Sequence, residues 1–235
     1  MSTHTFPRRS VILGFSLLLL ITIAFGLHRA ISSTENSTLA IANIIDAPID
    51  IPTPQKIGTQ TIVLAGGCFW GTEAVFEQLQ GVSNVVSGFS GGSAATANYD
   101  TVSGGNTGHA EAIQITYDPN QISFGQLLKI YFFVAHDPTQ VNRQSPDNGP
   151  QYRSAIFFAN SEQQKVSQAY IDKLNQSRIF PQPIATQLIT LTKFYPAEDY
   201  HQNFITRNPN YPYVVIHDRP KINRLRQQFP NLVRG

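Results

Sequence analysis

A single cysteine, a single tryptophan and a single methionine occur in 235 residues. With Cys68 alone, neither an intrachain disulfide nor a multi-thiolate metal site can form. Charge is scarce too: Asp, Glu, Lys and Arg make up 14% of the chain, and the formal charge is +2. No basic run or stripe is present, so nucleic-acid binding is set aside. Residues 1–55 contribute nothing to the balance, because Arg8, Arg9 and Arg29 offset Glu35, Asp46 and Asp50. There is no internal repeat. Setting aside a tail of roughly 55 residues leaves about 180, which suits one domain with a full core.

The lone cysteine and the lone tryptophan fall together in Gly66-Gly67-Cys68-Phe69-Trp70-Gly71. Before them, Thr61–Ala65 is apolar and rich in strand formers. After them, Thr72–Leu79 has apolar residues at helical spacing, with Gly81 as a stop. Cys68 is therefore expected on a strand-to-helix turn, at the positive end of a helix. That position predicts a lowered thiol pKa and a populated thiolate. A small buried packing residue is the alternative for a lone cysteine; the flanking glycines and paired aromatics favour the reactive reading.

At the N-terminus Arg8-Arg9 precedes an uncharged apolar run, Val11–Leu27, bounded by His28-Arg29. Residues 1–29 read as a signal sequence or membrane anchor that exports the globular part or tethers it to an envelope, the length fitting either. Residues 30–58 contain Pro48, Pro52 and Pro54 among Ser, Thr, Asn and Ile, and read as an extended linker.

Residues 59–235 read as the domain. Val82–Gly88, Ala112–Tyr117, Ser154–Phe158 and Ile184–Leu191 have strand character, and Phe124–Ala135 is an amphipathic helix. Ser161 with Gln164 predicts a capping box for a helix reaching about Asn175. Short helices are expected at Ala197–Phe204 and Pro220–Phe229. Between Gly91 and Gly108 lies a glycine-rich loop, long enough to suggest function. Strands and helices do not strictly alternate, so the expected fold is α+β, a two-layer sandwich with a mixed sheet.

A thiolate at Cys68 could attack carbonyl carbon, another sulfur or a sulfoxide sulfur. A cysteine hydrolase would need a histidine base, for which His109, His136, His201 and His217 are available. The sequence around Cys68 lacks the Cys-Gly-Ser-Cys-Trp context of papain-like proteases.

Gly67-Cys68-Phe69-Trp70-Gly71 resembles the signature of the A-type peptide methionine sulfoxide reductases. Thr107-Gly108-His109-Ala110-Glu111, His136-Asp137-Pro138-Thr139, Gln151-Tyr152-Arg153-Ser154 and Tyr195-Pro196-Ala197-Glu198-Asp199-Tyr200-His201 follow in that family's order. The resemblance runs from about Thr61 to Arg226. It implies a ferredoxin-like core with extensions, and reduction of the S epimer of methionine sulfoxide in proteins and as the free amino acid. Sulfoxide oxygen must be protonated as sulfur is attacked, and a carboxyl kept neutral by burial can do this. The resemblance places that acid at Glu111. It matches Tyr99 and Tyr152 to the tyrosines that hold the oxygen and Asp147 to an aspartate supporting them. Phe69 and Trp70, beside the nucleophile, would form the apolar wall for the methyl group. Tyr200 and His201 match the motif with only structural support to offer.

Many such relatives carry further cysteines near the C-terminus that resolve the sulfenic acid; this sequence has none. Regeneration is therefore expected from an external thiol, such as thioredoxin, glutaredoxin or glutathione. No metal or organic cofactor is implied, and a monomer is expected. A membrane-tethered module that binds methionine-rich segments without turnover is the competing function.

Overall fold

In the computed structural model, residues 44–53 and 58–235 are described. The β-rich segment Gln60–Ala65 forms strand β1, and Phe69–Glu77 forms helix α1. Strand β2 is Val82–Ser90, and a one-turn helix α2 follows at Tyr99–Val102. Strand β3 is Ala110–Tyr117 and helix α3 is Phe124–Ile130, which continues as a π-helical turn to Ala135. Two short strands, β4 (Arg143–Gln144) and β5 (Asp147–Asn148), pair with each other. Then come β6 (Ala155–Phe158), α4 (Ser161–Ser177), β7 (Gln187–Thr190), β8 (Phe194–Pro196), α5 (Phe204–Arg207) and α6 (Arg219–Gln228).

Six strands form one mixed sheet in the order β7-β6-β1-β3-β2-β8. All neighbours are antiparallel except β6 and β7. The inner four, β6-β1-β3-β2, with α1 and α3 as crossovers, make the split β-α-β arrangement of a ferredoxin-like core. β7 and β8 extend it at either edge. The α+β fold with a mixed sheet is thus the one expected from the sequence.

Strand parity assigns the two faces. Ile62, Leu64, Ile113 and Ile115 alternate onto one face, all 1% exposed or less. The other face carries a cluster of smaller residues, Val63, Ala65, Ala110, Ala112 and Ala155 with Phe157. Glu111 has the parity of Ile113 and Ile115, and its carboxyl meets the start of α1.

Several local expectations shift. Asn160, not Ser161, caps α4: its side chain accepts from the Gln163 backbone N–H at 2.9 Å. The complete capping box belongs to α3, where Ser123 and Gln126 satisfy each other's N–H groups. The Ala197–Phe204 helix is absent; a single 3₁₀ turn at Asp199–His201 stands there. Within the expected linker, Asp50 accepts from the Gly125 N–H at 2.8 Å and from Ser123, while Asp46 pairs with Lys129. Residues 46–50 are thus bonded to both ends of α3, Asp50 at its start and Asp46 in its last turn. Among the described residues no helix is long and apolar enough to cross a membrane. The apolar run Val11–Leu27 lies outside the described residues.

Candidate active site

The turn from β1 to α1 is built so that Cys68 can sit against the protein interior. Gly67 adopts a φ of 85°, favourable only to glycine, and a Cβ there would lie 2.5 Å from the Gln144 side chain. Cys68 is the N-cap residue of α1 and is 9% exposed. One turn on, the Thr72 hydroxyl donates to the Cys68 carbonyl at 3.0 Å. Phe69, the first helical residue, donates its backbone N–H to Glu111 Oε2 at 3.0 Å.

One cavity of about 180 Å³ gathers Cys68, Phe69, Trp70, Tyr99, Glu111, Asp147 and Tyr152. All seven residues singled out in the sequence therefore line the same space. Tyr211 and Tyr213 line it too, and the sequence reading missed them. Tyr213 donates its hydroxyl to Asp147 Oδ2, across 66 positions of chain. The only local signal was a pair of tyrosines around Pro212, which by itself reads as loop packing.

The elements that deliver these side chains are cross-tied. α2 brings Tyr99 in from the Gly91–Gly108 segment, and the Tyr99 N–H donates to Glu198 at 3.0 Å. Arg153, next to Tyr152, donates to the carbonyls of Pro150, His109 and Gly108 at 2.8, 3.1 and 3.0 Å. This clamps the Tyr152 turn to the residues leading into Glu111. Trp70 stacks on Phe204 with ring centres 3.7 Å apart and planes 7° apart, with Tyr211 and Tyr213 edge-on. Its indole N–H donates to His201 Nδ1 at 3.1 Å, and burial lowers the pKa of that imidazole. His201 thus acts as a neutral acceptor behind the tryptophan, a definite form of the structural support expected of it.

Electrostatics corrects one expectation. Burial pushes the Cys68 thiol well above its ordinary value, and the nearby Glu111 and Asp218 carboxyls push the same way. The Trp70 backbone amide and Lys221 pull it down, but less. The helix terminus acts as anticipated and is outweighed, because a thiolate here would lose its water and face two acids. Asp218 was not foreseen: it is fully buried, with Lys221 at 3.2 Å. Burial raises the Glu111 pKa from 4.5 to about 8, opposed by the Phe69 amide and assisted by Asp147. Tyr99 is pushed up to about 12 by burial and Glu111, and Tyr152 is raised from the same two causes.

No histidine lines the cavity. A cysteine that shares a cavity with a carboxyl of raised pKa and two phenols, inside an aromatic wall, has the groups that reduction at a sulfoxide needs, a thiol and a proton donor, and among its lining residues it has no histidine base for a cysteine hydrolase. A model of the family described as "Peptide methionine sulfoxide reductase" matches residues 60–232. Peptide methionine sulfoxide reductase MsrA 2 of Synechocystis sp. is 59% identical over 178 residues, covering 76% of this chain and 83% of that protein. MsrA of Thermus thermophilus is 45% identical over 181 residues, 77% of this chain and 99% of its own. Among solved structures, methionine sulfoxide reductase A of Corynebacterium diphtheriae is 34% identical with a TM-score of 0.58, covering 68% of this chain and 80% of that one. The reduced form of Mxr1 from Saccharomyces cerevisiae is 31% identical with a TM-score of 0.59, covering 67% and 92%. The chain belongs to the peptide methionine sulfoxide reductases, oxidoreductases acting on sulfur, and its activity is the reduction of methionine sulfoxide.

Proposed function

We propose that Cys68 is the nucleophile and Glu111 the acid in reduction of the S epimer of methionine sulfoxide, protein-bound or free. The supporting observation is that a buried carboxyl raised to about 8 and the only thiol line one cavity, joined through the Phe69 amide. The substrate methyl group lies against Phe69 and Trp70, and its oxygen is oriented by Tyr99 and Tyr152. Asp147, bonded to Tyr213, holds the phenol side of the cavity.

Cys68 sulfur attacks the sulfoxide sulfur as Glu111 gives its proton to the oxygen. The hydroxyl then transfers to Cys68, leaving a thioether and a sulfenic acid, while the thiol proton returns to Glu111. One oxygen has moved, and the cysteine has lost the two electrons that the substrate gained. Having Cys68 as its single cysteine, the sequence supports regeneration by an external thiol, thioredoxin, glutaredoxin or glutathione. The apolar run behind Arg8-Arg9 supports export or membrane anchoring, which fractionation of cells with N-terminal sequencing of the product would check. A single-turnover assay with the two dabsyl-methionine sulfoxide epimers, scored by trapping of sulfenic acid on Cys68, tests the assignment. Equal reaction of both epimers, or trapping nowhere on Cys68, would refute it.

A further inference from the structure

Glu73 follows Trp70 by three positions on α1 and is 1% exposed. Among the described residues it joins no ion pair. Instead both of its oxygens accept from one backbone N–H, that of Asn203, at 3.2 and 3.1 Å. Asn203 stands at a φ of 54°, an uncommon, left-handed conformation for a residue with a side chain. The residues around it make the far wall of the tryptophan: His201 takes the indole N–H and Phe204 stacks on the ring. Gln202 between them is tied to Ser87 and Ala197 by three hydrogen bonds of 2.9–3.0 Å. Besides the Trp70–His201 bond itself, the segment is thus fastened through Gln202 and through the Asn203 amide, the latter held from the catalytic helix.

We propose that Glu73 is a positioning residue for substrate binding: its bond to the Asn203 amide fixes segment 201–204 and, through it, the orientation of Trp70 in the methyl-binding wall. The proposal rests on the assignment of Trp70 to that wall. A carboxylate makes a stronger bond to this amide than a neutral acid does. Burial raises the Glu73 pKa to about 7, with Glu77 on the same helix adding to the rise. The Asn203 N–H, the Ser87 hydroxyl on β2 and Arg207 on α5 oppose it. The clamp therefore slackens as pH falls through neutrality.

Trp70 is the only tryptophan, so intrinsic fluorescence reports its surroundings without substrate. In the full chain, its emission should titrate with a midpoint of about 7. Glu73→Gln, which stays neutral, should abolish that transition and raise KM at about pH 8 by roughly three- to tenfold, with the single-turnover rate at saturation within about twofold. Asn203→Gly keeps the N–H and the left-handed backbone and should retain the wild-type titration. An unchanged titration in Glu73→Gln would overturn the role of the bond. A changed emission with unchanged KM would overturn the role in binding and place the fault in the methyl-wall assignment. If Glu73→Gln does not fold, wild-type emission that is flat between about pH 6 and 8 overturns the proposal by itself.

Discussion

The backbone N–H of Phe69 donates to Glu111 Oε2 at 3.0 Å, so the proposed acid is bonded to the residue that follows the proposed nucleophile. Strand β3 and helix α1 are locked together at the point where proton and sulfur must meet, with no hinge between them. Glu111→Gln keeps an acceptor for that amide while removing the proton. The single-turnover rate should fall by about 10² or more, with substrate affinity little changed. Rapid-quench measurement at saturating sulfoxide checks this; an unchanged rate would move the acid to a phenol or to water.

Cys68→Ser should remove even the first turnover, to below roughly one per cent, because a hydroxyl is almost never ionised near neutral pH and attacks sulfur poorly. In the wild type, mass spectrometry after one equivalent of substrate should find Cys68 heavier by one oxygen, then glutathionylated once glutathione is added. A dimer joined through two Cys68 sulfurs would contradict recycling at an isolated thiol.

Buried acids also set a pH dependence of stability. Glu111 and Glu73 are raised in the folded state from 4.5 to about 8 and about 7, so between those values the fold holds protons that the unfolded chain has released. Their contribution is fully present below about pH 4.5 and is lost as pH rises toward 8. Glu111→Gln should flatten this decline, gaining on the order of 1–3 kcal/mol over wild type near pH 8 while losing activity. Urea melts at several pH values would show it, and parallel stability curves for the two proteins would contradict it.

Gly71 permits the buried Asp218 to approach the first turn of α1. A Cβ there would lie 2.1 Å from Asp218 Oδ1, and Asp218 is fully buried. Gly71→Ala should destabilise the fold by about 1–3 kcal/mol despite alanine's better helix propensity. The shift in chemical denaturation midpoint measures it, and a stabilised variant would show that Asp218 relaxes freely.

What the sequence made legible was local. The strand before Cys68 and the helix after it follow from period and composition, whereas Glu111, expected just before the strand Ala112–Tyr117 and singled out by the resemblance, lies within β3. The family resemblance, which singled out Tyr99, Asp147 and Tyr152, supplied the rest of the set that lines the cavity. What escaped was set by distance along the chain or by competition between terms. Phe194–Pro196 is a short edge strand ending in proline, with too few residues to show a period. The Tyr213–Asp147 contact joins residues 66 positions apart, and Asp218 comes beside α1 at Gly71 only in the folded chain. The Cys68 thiol is the sharpest miss, since a helix-end argument counts one favourable field and sees neither the lost water nor two acids from β3 and the start of α6.

The thiol of Cys68 is nearly enclosed, and burial pushes its pKa well above the ordinary value. A nucleophile so kept is dormant toward bystanders: alkylating reagents and peroxide react with thiolates, and the resting pocket presents very little of one. In the proposed reaction methionine sulfoxide differs by bringing an oxygen for Glu111 to protonate as the sulfur–sulfur contact forms, so the substrate supplies the acceptor that draws the proton inventory of the pocket into motion. On the proposed mechanism, latency of this kind would protect a lone cysteine, which has no neighbouring thiol to rescue it from over-oxidation, until the molecule it repairs is in place.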